Sequence, residues 1–141
     1  MLICDGDNRV QIVFKEGIPR DLPGAGDAQL HVTVASSGFC GEADVWIEEP
    51  ELQRFLQSAA EFERGRQGTI EIESMSPDLF RLRIFSVDRK GHLAVSGRLG
   101  TMRRGNEGGF HTSAIEFEFD FDPSQLVPFV HELRRILESA A

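Results

Sequence analysis

Between Ile115 and Phe121 the chain reads Ile-Glu-Phe-Glu-Phe-Asp-Phe, apolar residue and carboxylate in strict turn. Successive side chains of a β-strand point to opposite faces, so this segment is a strand with one buried aromatic face and one wet acidic face. A strand of that kind needs partners beside it and an apolar layer over its aromatic side. Much of the remaining chain supplies both.

Val10, Ile12 and Phe14 alternate with Gln11 and Lys15, and Leu30, Val32 and Val34 alternate with His31 and Thr33, which predicts two early strands. Gly17 to Asp27, with Pro19, Pro23, Gly24 and Gly26, reads as the loop between them. A third strand is expected at Val45 to Ile47. Pro50 suits a first helical turn, and Leu52, Phe55, Leu56 and Ala59 follow at helical spacing, so a helix is predicted to end before Gly65 or Gly68. Three further alternating runs, Ile70–Ile72, Phe80–Ile84 and Leu93–Val95, are joined by turns at Met75–Asp78 and Asp88–Gly91. Gly105 to Gly109 reads as a hairpin connection into the Ile115 strand. Asp122-Pro123-Ser124-Gln125 opens a second helix on Leu126, Phe129, Val130, Leu133, Ile136 and Leu137, its first turn irregular because of Pro128. Short connections imply antiparallel neighbours. The expectation is one α+β domain over residues 1–141, a mostly antiparallel β-sheet with two helices packed on its apolar face and no internal repeat.

Composition limits the partners. A net charge of −8 disfavours binding to a phosphate backbone, which needs clustered cations, and favours a basic partner. Two cysteines are too few for a disulfide framework, and Met-Leu-Ile-Cys-Asp at the start lacks a secretion signal's basic and long apolar regions. Apolar stretches fall far short of the ~18 residues a membrane-spanning helix needs. A cytoplasmic protein, binding neither nucleic acid nor membrane, is expected.

Candidate chemistry is sparse. Cys40, between glycines, is a nucleophile only if a histidine or a helix N-terminus lowers its pKa. His31, His92 and His111 lie in no cysteine-hydrolase signature, and Cys40 reads as a small core residue. No His-x-His, His-Glu-x-x-His or Cys-x-x-Cys spacing offers a metal site. Asp5, Asp7 and Glu16 match three calcium-loop ligand spacings, but Arg9 and Val10 occupy positions that need an oxygen ligand and a turn glycine. Gly24-Ala25-Gly26 lacks the third glycine of a dinucleotide fingerprint, and no Lys-Ser or Lys-Thr follows Gly105–Gly109. No catalytic residue, metal or cofactor is assigned. Trp46, the one tryptophan, is expected in the core.

Carboxylates are the more informative feature. Glu42, Asp44, Glu48, Glu49 and Glu51 crowd a stretch without Lys or Arg, a negative patch for a partner to read. Glu48, Glu49 and Glu51 also favour the positive end of the helix at Pro50. Glu116, Glu118 and Asp120 share one strand face, while Glu71 and Glu73 are expected opposite Arg81 and Arg83 in an ion-pair ladder. The residues expected at a protein interface are Glu42, Asp44, Glu48 and Glu49, with Glu116 and Glu118 as a second patch.

Gly38-Phe39-Cys40-Gly41, the acidic residues before Val45-Trp46, Leu52-x-x-Phe55, Ser74-Met75-Ser76-Pro77, Gly91-His92-Leu93 and Phe121-Asp122-Pro123-Ser124-Gln125-Leu126 together resemble the WapI-type immunity proteins of bacterial polymorphic-toxin systems. The resemblance spans Gly38 to Leu137 and transfers no catalytic signature. It implies a cytoplasmic, non-enzymatic protein that binds and neutralises a cognate toxin domain, often a nuclease. Two other classes stay open: a thiol enzyme or small-ligand protein built on Cys40, and a self-associating domain that forms a homodimer through a sheet edge.

Overall fold

The computed structural model describes residues 1–140. Strands β1 (Leu2–Asp5), β2 (Asn8–Gly17), β3 (Ala28–Ser36) and β4 (Phe39–Ile47) form one antiparallel sheet in chain order, and helix α1 (Glu49–Gly65) follows. Strands β5 (Thr69–Glu73), β6 (Phe80–Ser86), β7 (Leu93–Arg104) and β8 (Phe110–Phe121) form a second such sheet. A short 3-10 turn (Pro123–Gln125) then leads into α2 (Leu126–Ala140). The α+β class, the antiparallel pairing and the two helices are as expected; the strands divide into two sheets. Element order thus repeats, four-strand meander then helix, where the sequence shows no repeat.

One core unites both halves. Ile3, Val10, Ile12, Val32 and Val45 from the first sheet and Leu82, Ile84, Val95, Phe117 and Phe119 from the second belong to a single buried cluster with both helices. Strand β4 packs on β7 and β8, β1 and β3 on β8, α1 on α2 and β5, and α2 on β2. The aromatic side of β8 therefore meets strands of the first sheet. Between the helices Phe55 and Phe129 meet edge to face at 6.2 Å.

Local details position the surface. Ser37 and Gly38, both at positive φ, make a two-residue turn between Ser36 and Phe39, the backbone twist that matches a tight hairpin. Strand β4 consequently starts at Phe39, well before the Val45 that its apolar residues suggested. A bulge between Phe14 and Glu16 leaves Lys15 unpaired in the ladder and turned toward Asp44. Helix α1 starts without a side-chain cap from Glu48; the Glu49 N–H donates instead to Asp27 Oδ1, 2.9 Å away in the β2–β3 loop. Pro128 is accommodated because the chain enters α2 through the 3-10 turn, where the Asp122 carboxylate accepts from the Ser124 N–H at 2.8 Å.

Strands β7 and β8 outrun their neighbours. β6 ends its pairing at Phe80 opposite Leu99, whereas β7 and β8 stay paired to Arg104 and Phe110. The last part of this two-stranded ribbon projects beyond the sheet with its residues exposed.

Candidate interaction surface

The outward face of β3 and β4 holds the first carboxylates. His31 lies opposite Asp44 and shares its ring between two acids: Nδ1 is 2.7 Å from Asp44 Oδ1 and Nε2 is 3.4 Å from Glu42 Oε2. Lys15 Nζ reaches the other Asp44 oxygen at 3.0 Å. The hydrogen bond that the Asp44 carboxylate accepts from the ring, helped by Glu42, raises the His31 pKa above its ordinary value. Hydrogen bonds to His31 and then Lys15 hold Asp44 below the ordinary carboxylate range. Asp44 is committed within the fold, while Glu42 extends into solvent.

Around the start of α1 the acidic stretch divides. Glu48 is exposed. Glu49 is half-buried, accepts from Gln53 Nε2 at 2.7 Å and lies against Gly26, where a Cβ would come within 2.7 Å of its carboxyl carbon. Glu51 works structurally: it pairs with Arg54 and accepts the Glu73 N–H at 3.1 Å, stitching α1 to β5. Burial opposes its ionisation, but Arg54 and the Glu73 N–H outweigh it and lower the Glu51 pKa.

On the second sheet the expected ladder forms. Arg83 Nε meets Glu71 at 3.1 Å, Arg81 Nε meets Glu73 at 2.8 Å, and Arg98 reaches Glu116 at 3.2 Å. Glu118 stands opposite Ser96 and has no ion pair among the described residues. Of the six expected interface residues, Glu48 and Glu118 have no ion pair among the described residues, Glu42 has only the 3.4 Å approach of His31, and Glu116 keeps a side chain 76% exposed despite Arg98.

Two expectations about single residues are corrected. Cys40 is exposed, because it sits on the outward side of β4 two residues past the hairpin turn. Trp46 is half-buried on that same outward side, since β4 directs Val45 and Ile47 to the core. His31 faces Asp44, four residues along β4 from Cys40, or about 13 Å at the usual strand rise. His92 is bonded to Asp88, and the His111 ring lies against Gly105. No thiol–imidazole pair and no metal-holding cluster occurs among the described residues.

What the sequence patches did not reveal is a groove between the two sheets at the open end of the core. Its volume is about 490 Å³. Phe39, Gly41 and Glu42 of β4 form one side; Leu99, Thr101, Ser113, Ile115 and Glu116 of the β7–β8 ribbon form the other. Glu42 and Glu116, which the sequence places in separate patches, both line the groove. Phe39 is 72% exposed although it has the strand parity of the core residues Ala43 and Val45. Neither the overhang of the ribbon nor the depth of the core at this end has a sequence signal.

No helix among the described residues is long and apolar enough to cross a membrane. No curated protein and no solved structure matches the chain. A family model does, over residues 2–140, so the similarity extends through β1, β2 and β3, beyond the Gly38–Leu137 span in which the motifs lie. On that match, which covers both meanders and both helices, the chain belongs to the immunity protein WapI-like family.

Proposed function

We propose that this protein acts by binding, neutralising a cognate toxin domain of a polymorphic-toxin system by covering the surface that the toxin needs. The carrying observation is the family match over 2–140. Supporting it are exposed carboxylates at Glu42 on β4, Glu48 at the start of α1, and Glu116 and Glu118 on β8. A net charge of −8 would draw a basic domain in and place carboxylates where the phosphates of a nuclease substrate would lie. Such a role is non-enzymatic and needs no cofactor, and it belongs in the cytoplasm, where the toxin would act.

The test is co-expression with each toxin-like domain encoded beside this chain, scored by cell survival and then by co-purification. Survival together with a stable complex is the expected result. Cell death with every such domain, or survival without any complex, contradicts neutralisation by binding.

A further inference from the structure

We propose that the groove between β4 and the β7–β8 ribbon is the docking centre of this protein, and that it takes a protein element presenting an apolar side chain flanked by Lys or Arg. This rests on the immunity reading and specifies its contact surface.

Its floor and its rim demand different chemistry. Leu99 and Ile115 are buried beneath it, and the Phe39 ring stands on its wall largely in water. An exposed Phe is ordinary singly, but this one stands over an apolar floor made by Leu99 and Ile115. The rim carries Glu42 and Glu116, with side chains 71% and 76% exposed, and no Lys or Arg lines the groove. An apolar seat between carboxylates that stay mostly in water, Glu42 beside His31 and Glu116 beside Arg98, is complementary to an apolar residue between cations.

A small molecule fits this site less well than a protein element. The groove is open, and no buried side-chain polar atom among the described residues lacks a partner, so none is left waiting to orient a small ligand. The glycine in its wall makes the site adjustable by design. Gly41 has no positive φ, and a Cβ there would point at Ile115 Cγ2 from 3.4 Å, so a larger residue fits the strand and fills the groove.

The experiment uses the full chain and, as probe, the catalytically inactivated neighbouring toxin domain. Binding is measured by calorimetry for the wild type, Phe39→Ser, Gly41→Val and, as a charge-reversal control on α2, Glu138→Lys. Thermal melting confirms that each variant is folded. Phe39→Ser and Gly41→Val are expected to weaken binding by about tenfold or more, as truncating or blocking a central contact does, and Glu138→Lys to leave it unchanged. In the wild-type complex, alkylation of Cys40, which lines the groove, should slow relative to free protein, with the modified site read by mass spectrometry. A wild-type complex in which both groove variants bind as tightly and Cys40 reacts as fast overturns the docking site and leaves the immunity reading standing. Absence of any wild-type complex overturns both.

Discussion

His31 joins two carboxylates through one ring, and its consequence for stability has a definite sign. Its folded pKa is raised, so its contribution is complete below its ordinary value of 6.5 and disappears as pH rises through the folded value. The Asp44 pKa is lowered, so its contribution holds above 3.8 and is lost as pH falls through the folded value. The pair therefore stabilises the fold between those limits. His31→Gln is expected to show a melting-temperature deficit at about pH 5.5 that shrinks by about pH 9; a deficit independent of pH would contradict the pairing. Gly97 is a different constraint. A Cβ there would lie within 2.7 Å of the Phe117 ring and closer still to the Arg81 carbonyl, so Gly97→Ala should cost about 1–3 kcal/mol in denaturant unfolding. The Phe117 alternation was readable from sequence; that Gly97 would be its cross-strand partner required the register.

At the scale of elements, β1 is held by a side chain 121 residues away. Gln125 Oε1 accepts the Cys4 N–H at 2.9 Å, and Gln125 Nε2 donates to the Cys4 carbonyl at 2.8 Å, in the manner of one more strand beside β1. Gln125→Ala leaves a part-buried amide unpaired and should cost about 1–3 kcal/mol, with hydrogen exchange rising first in β1. Elements whose apolar period is long, such as β8 and both helices, were legible because burial on one face dictates the pattern. Others were not. Strand β1 has only Ile3 facing the core, the front of β4 is Phe-Cys-Gly-Glu, and the Ser37-Gly38 turn places a non-glycine at positive φ, so each lacks the local signal. The start of α1 depends on Asp27, a cap that no reading of residues 48–51 could supply. The candidate site divides the same way: its carboxylates were visible as charge, while the groove that joins Glu42 to Glu116 arises only when two sheets meet.

Over the whole molecule, two meander-and-helix halves share one core, and the Phe55–Phe129 contact joins their helices. Phe55→Ala should cost about 3–5 kcal/mol and lower a single unfolding transition, seen identically by Trp46 fluorescence and by circular dichroism, because neither half keeps its own core. That body carries exposed carboxylates and the exposed Phe39 outward, as the proposed binding role requires. The most direct measurement is the titration of the purified chain with the inactivated toxin domain encoded beside it, followed by the mass of the mixture in solution. The account predicts a saturable one-to-one complex that weakens as salt is raised. A mixture in which both proteins keep their separate masses at every ratio would contradict it.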